Sequence, residues 1–121
     1  MMRDSVRLCR LDELAEGKSR GFDPWGDGHD TLFVVRRRGL HGYRDACPHW
    51  VGTPMAWRKD AYLSGDGRDI VCSAHGARFD IETGVCMLGP CLGQSLTPVP
   101  LIINDDGEIH LAIATEPETN T

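Results

Sequence analysis

Apolar positions along this chain alternate more often than they recur at helical spacing. Val6 and Leu8 stand between polar neighbours, so residues 5–9 predict a first strand. Leu11 to Leu14 offers at most one helical turn. Residues 17–28, with Pro24, Gly26 and Gly28, read as loop. The β-branched and aromatic run Thr31–Val35 predicts a strand, turned by Arg36–Gly39, with Leu40–Arg44 returning as its antiparallel partner. Four short strands are expected around residues 54–57, 70–72, 77–80 and 85–87. Leu96–Asn104 and Glu108–Ile113 predict a closing hairpin about the turn Asn104–Gly107, where Gly107 can take a positive φ. No segment holds a sustained helical period, so the expected class is all-β. Outer strands (residues 1–44 and 93–114) form a base, a small loop-built subdomain (45–92) is inserted between them, and a polar tail covers 115–121.

Composition narrows the picture. The 121 residues, 40% of them hydrophobic, suffice for one domain with a modest core. No stretch approaches a membrane span, and residues 1–7 lack an apolar signal core, which makes the cytoplasm the expected compartment. The net charge of −5 argues against a nucleic-acid partner and favours a basic docking face on another protein. Five cysteines in such a chain suggest metal rather than disulfides.

Two of the five belong to short pairs, Cys47-Pro48-His49 and Cys72-Ser73-Ala74-His75, each in a setting rich in glycine, proline and aromatic residues. Each loop therefore offers one thiolate and one imidazole. Pro48 stiffens the first loop, and Gly76 permits close backbone approach beside the second. Two soft sulfur donors and two nitrogen donors can hold a two-iron, two-sulfur cluster asymmetrically, with cysteine on one iron and histidine on the other. A single structural zinc ion is the alternative, and the one-residue gap in the first pair suits it less well.

The segment Cys72–Gly84, with its His75-Gly76-Ala77-Arg78-Phe79-Asp80 core, resembles the second cluster-binding loop of Rieske iron–sulfur proteins. Asp45–His49 resembles their first loop. Gly89-Pro90-Cys91, followed by Leu96–Pro100, resembles the proline loop that covers the cluster. The resemblance implies a Rieske-like antiparallel sandwich or barrel base, a [2Fe-2S] cofactor, Cys47 and Cys72 on the inner iron, and His49 and His75 on the outer one. One departure is the connector of 22 residues from Trp50 to Val71, whose excess lies in the polar, glycine-containing stretch Arg58–Arg68 and reads as loop.

The resemblance also bears on the potential. Rieske centres span about −150 to +300 mV, and hydrogen bonds to the cluster sulfurs raise the value. High-potential respiratory members place a serine and a tyrosine two and four residues after the second histidine. Here those positions are Ala77 and Phe79, without hydroxyls. The loop-tying disulfide of those members would require cysteines at Gly52 and Ala74. A potential near the bottom of the range is expected.

Other residues read more plainly. Cys9 is expected as core or edge packing, and Cys86 and Cys91 as buried thiols packing as small apolar groups, with a disulfide or redox-sensitive pair near the cluster as the alternative. His29 reads as part of a solvated loop, His110 as a solvent-facing strand position, and Arg36–Arg38 as a solvated charge run. Trp50 and Trp57 flank the first loop, where at least one is expected to shield the cluster, with a docking rim as the alternative for Trp50. The chain is too short to add a flavin or nicotinamide domain, or a mononuclear-iron oxygenase domain. The resemblance therefore implies an electron-transfer component with no substrate site of its own. Such a carrier takes electrons from a flavoprotein reductase and passes them to an oxygenase. A small Rieske subunit of a multisubunit oxidoreductase such as nitrite reductase, and a zinc-stabilised binding module, are the alternatives.

Overall fold

The computed structural model describes residues 5–46, 55, 59–72, 76–89 and 91–112. Strand β1 (Ser5–Arg10) leads into a 3-10 turn at Leu11–Glu13, followed by β2 (Lys18–Phe22), β3 (Leu32–Arg36) and β4 (Leu40–Arg44). Then come β5 (Asp69–Cys72), β6 (Ala77–Asp80), β7 (Cys86–Leu88), β8 (Pro98–Val99), β9 (Leu101–Ile103) and β10 (Glu108–Ala112). They form three antiparallel sheets ordered β1-β10-β9, β2-β3-β4-β8 and β5-β6-β7.

β3 explains how the sheets are assembled. Leu32, Phe33, Val34 and Val35 are all buried, because side chains alternate across a strand and both faces of this one are covered. Leu32 and Val34 join Cys9, Leu14, Phe22, Ile109 and Leu111 in one core, against the first sheet. Phe33 and Val35 join Tyr43, Met55, Tyr62, Ile70, Cys72, Phe79 and others in a second core, against the third sheet. The continuous apolar run that marked this strand in the sequence is the signature of its central place.

Two expectations need correction. Residues 18–22 form a strand, not loop. β2 pairs with β3 from Lys18 opposite Arg36 to Phe22 opposite Leu32, so backbone hydrogen bonds rather than apolar alternation define it. The final hairpin is broken at Pro100. β8 pairs with β4 in the second sheet, and β9 pairs with β10 in the first. Pro100 has no N–H to continue either ladder, while its carbonyl accepts the Ala112 N–H at 2.9 Å. The strand changes sheets at that residue, a corner that joins the two layers. The expected strand at 54–57 lies outside the described residues apart from Met55, which is buried at a bend.

Two polar readings also change. His110 is not simply solvated: its Nδ1 lies 2.9 Å from Ser5 Oγ and its Nε2 lies 3.2 Å from Asn104 Nδ2. The arginine run ties loops together. Arg36 donates to the carbonyls of Leu11 and Leu14 at 3.1 and 3.0 Å, and Arg37 donates to that of Gly67. Arg38 takes a φ of 53° and donates its backbone N–H to Glu16 at 2.9 Å. Turn carbonyls left without strand partners need such donors. The turn after β9 is as expected: Gly107 has φ 76°, and Asn104 Oδ1 accepts from the N–H groups of Asp106 and Glu108 at 3.0 Å each.

Candidate metal centre

Of the four sequence-predicted ligands, Cys72 lies among the described residues; Cys47, His49 and His75 lie outside them, as do Trp50, Gly52, Trp57 and Ala74. The structure shows how the flanks of both loops are held. Cys72 ends β5, opposite Ala77 at the start of β6. Its carbonyl accepts the Gly76 N–H at 2.8 Å, which ties the end of β5 to the approach to β6. Gly76 has φ 68°, and a Cβ placed there would meet nothing within 4 Å. Backbone conformation, rather than crowding by protein atoms, therefore asks for glycine at this position. Cys72 is fully buried among apolar neighbours, a dry setting in which a thiolate needs a positive partner such as a metal.

The first loop leaves β4 through Asp45, whose side chain is used twice. Its Oδ1 accepts the Met55 N–H at 2.8 Å, and its Oδ2 accepts the Tyr62 hydroxyl at 2.7 Å. Its own backbone N–H donates to the Thr31 carbonyl at 2.9 Å. Asp45 thus joins the two ends of the segment that carries Cys47 and His49.

Tyr62 is the residue that sequence reasoning missed. It belongs to the connector read as loop, yet it is 1% exposed. Its ring stacks on Phe33, with centroids 4.2 Å apart and planes inclined by 8°. Its carbonyl accepts the Val71 N–H at 2.9 Å, one residue before Cys72. Its hydroxyl meets Asp45, two residues before Cys47. One side chain and its backbone therefore link the approaches to both loops. Burial, and then the hydrogen bond to Asp45, push the Tyr62 phenol well above the usual tyrosine range. The only available signal was the pair Tyr62-Leu63 set in an otherwise polar stretch; Leu63 bridges to Ile70.

Ala77 and Phe79, the two positions without hydroxyls, are fully buried on β6 in the same core as Cys72. The turn after β7 packs closely on this strand, since a Cβ on Gly89 would come within 2.8 Å of Ala77 Cα. Cys86 and Cys91 are buried in that core as well. Val85, Met87, Leu88 and Leu92, beside them in sequence, are exposed. Cys9 packs in the other core, as expected, and burial pushes its thiol up. His29 is exposed, in a loop held by Asp23 accepting from the N–H groups of Asp27 and Gly28 at 2.8 Å each. No helix among the described residues is long and apolar enough to cross a membrane.

A family model described as the Rieske [2Fe-2S] domain matches residues 4–111. The ferredoxin component of the p-cumate 2,3-dioxygenase system of Pseudomonas putida is 28% identical over 116 residues, covering 96% of this chain and 92% of that protein. The ferredoxin of carbazole 1,9a-dioxygenase from Nocardioides aromaticivorans IC177 superposes with a TM-score of 0.68 at 25% identity, covering 91% of this chain and 98% of that one. A chain from a complex of reduced oxygenase and oxidised ferredoxin in carbazole 1,9a-dioxygenase gives a TM-score of 0.71 at 22% identity, a likeness of fold, covering 97% and 100%.

Proposed function

The chain belongs to the Rieske [2Fe-2S] domain family, and from that premise we propose that Cys47, His49, Cys72 and His75 hold its cluster. The donor set suits the group: two thiolates for one iron and two neutral imidazoles for the other. The buried Cys72 at the end of β5, and the Asp45–Tyr62 link at the entry to the first loop, support local ligation by two separate pairs. The long connector does not oppose it, because the part that carries Tyr62 packs into the core instead of looping away.

When bound, the cluster supplies exchange of one electron at a time. The protein's residues supply ligation, burial on the cysteine side and a face for docking. The chain acts as a carrier that accepts electrons from a flavoprotein reductase and delivers them to an oxygenase. The single observation that carries this reading is the family match across residues 4–111, which spans both cysteine–histidine pairs. The relatives that are ferredoxins of dioxygenase systems favour the carrier role over a fixed subunit. Carriers of this kind dock weakly, through interfaces below about 1,200 Å². Its working compartment is the cytoplasm, in keeping with cysteines committed to metal.

The test is electron paramagnetic resonance of the dithionite-reduced protein, with iron and sulfide analysis. Two irons and two labile sulfides per chain, with the signal of a mixed nitrogen- and sulfur-ligated cluster, are expected. Replacing His49 or His75 by Cys should shift that signal toward the all-cysteine type. Stoichiometric zinc, or an all-sulfur signal in the unaltered protein, would overturn the assignment.

A further inference from the structure

The outer face of the first sheet carries a set of polar side chains that the cluster site does not use. Ile109 and Leu111 turn inward to the core, so Glu108 and His110, which alternate with them on β10, lie on the opposite face. Arg7 on β1 and Ile102 on β9 stand opposite His110 in register, one on each side, and share that face with it. Ser5, two residues before Arg7, does so too, and its Oγ lies 2.9 Å from His110 Nδ1. His110 Nε2 in turn lies 3.3 Å from Glu108 Oε1. Glu108 is itself held, by Arg7 Nε on Oε2 at 2.7 Å and by Asn104 Nδ2 on Oε1 at 3.1 Å. These bonds keep its carboxyl ionised at neutral pH. Asn104 Nδ2 also lies 3.2 Å from His110 Nε2, but a carboxylate is the stronger partner, so Nε2 carries the ring proton and turns it to Glu108. Nδ1 is then the acceptor for the Ser5 hydroxyl.

We propose that Ser5, His110 and Glu108 form an acyl-transfer site, with Ser5 as the nucleophile toward neutral esters of small carboxylic acids. A hydroxyl in reach of a base, and a base oriented by a third group, is the arrangement that activates a serine. Ser5 is part-exposed, so an ester reaches it from solvent. Its Oγ bonds to the ester carbonyl carbon while its proton passes to His110 Nδ1. The bond to the leaving alcohol then breaks, and that alcohol takes the proton from His110. Water hydrolyses the acyl-serine in the second half, giving its OH to the acyl carbon and a proton back to Ser5 Oγ. Arg7 stands beside this serine on β1, and its two terminal nitrogens have no hydrogen-bond partner among the described residues. They are the donors available to the oxyanion. Ile102, 46% exposed on the other side of His110, offers an apolar shelf for the substrate. Arg7 and Glu108 offset each other in charge, which suits a neutral ester. The site shares no residue with the cluster ligands and stands whether or not the carrier reading holds.

The test uses the intact, cluster-loaded chain and two probes. With p-nitrophenyl acetate, release of p-nitrophenol above the buffer rate is measured by chromatography. With an alkyl fluorophosphonate, the phosphorus bonds to the reacting oxygen and fluoride leaves, which marks the nucleophile. Trypsin cuts after Arg3 and Arg7, so Ser5 is the only hydroxyl on the peptide 4–7. The expected result is a phosphonyl adduct on that peptide, and p-nitrophenol release that falls about 100-fold in Ser5→Ala. His110→Gln should lose the adduct as well, and Glu108→Gln, which keeps the side chain's shape but not its charge, should slow both reactions. Circular dichroism and retained cluster absorbance identify the folded variants. Should His110→Gln fail to fold, Ser5→Ala decides, since it trims a part-exposed side chain. Unchanged release in folded Ser5→Ala would overturn the proposal. So would an unlabelled 4–7 peptide at saturating probe, or undiminished labelling of Ser5 in folded His110→Gln.

Discussion

The Tyr62 hydroxyl donates a 2.7 Å hydrogen bond to Asp45 Oδ2, across 17 residues of sequence. With the Val71 N–H on the Tyr62 carbonyl, it places one aromatic residue between the approaches to both cysteine–histidine loops. Removing the hydroxyl leaves a part-buried carboxylate oxygen without its donor. Tyr62→Phe should therefore lower stability by about 1–3 kcal/mol, read as a shift in the urea unfolding midpoint. It should also speed iron loss to a chelator, because the first loop loses an anchor. An unchanged rate of iron release would separate this residue from the metal centre.

The buried hydroxyl-free positions on β6 lead to a second expectation. The midpoint potential should fall near −150 mV, the low end of the Rieske range of about −150 to +300 mV. Phe79→Tyr or Ala77→Ser should raise it, since each adds a donor able to stabilise the reduced cluster's extra charge. Protein-film voltammetry on the three proteins decides the matter. A wild-type value above zero would contradict the sequence argument.

Gly84 takes a φ of 75°, and a Cβ there would come within 2.7 Å of the Tyr43 ring. Tyr43 cannot easily give way, because it is buried and its hydroxyl donates to the Ile81 carbonyl at 2.7 Å. Gly84→Ala combines backbone strain with overpacking and should cost about 2–4 kcal/mol in equilibrium unfolding. Gly107→Ala, with open space around its Cβ, should cost less, by the clash alone.

Stability should fall in alkali. Burial pushes the Tyr43 phenol up to about 12, with Asp80 and Glu82 adding to the effect, and Tyr62 lies higher still. A tyrosine in the unfolded chain ionises near about 10. Above that pH the unfolded chain gives up protons that the folded one keeps, so unfolding is increasingly favoured. The contribution is complete below about pH 10 and declines from there through about 12 for Tyr43. Urea midpoints measured across this window should drop, and Tyr43→Phe should flatten part of the slope. On the acid side, Glu108 is held down to about 2, first by Arg7, then by Asn104 and His110. Its small, solvent-screened contribution is present above its ordinary value of 4.5 and is lost as pH falls toward 2.

The sequence determined the all-β class, the site of the closing turn at Asn104–Gly107, and the two thiol–imidazole pairs. Each is a local fact: alternation along a strand, a glycine's φ, or donors within four residues of one another. It also marked β3, whose unbroken apolar run reflects cover on both faces. Tertiary structure alone decided the rest. β2 exists because β3 offers it a ladder, and its own residues, Lys18 to Phe22, carry almost no alternating signal. The last strand divides at Pro100 because two different sheets compete for its hydrogen bonds. The place of Tyr62 in the core, the use of Arg36 and Arg37 to satisfy turn carbonyls, and the contact between Ser5 and His110 depend on segments meeting in space. Periodicity reports which face of an element is apolar, but it carries no record of which distant group that face will touch.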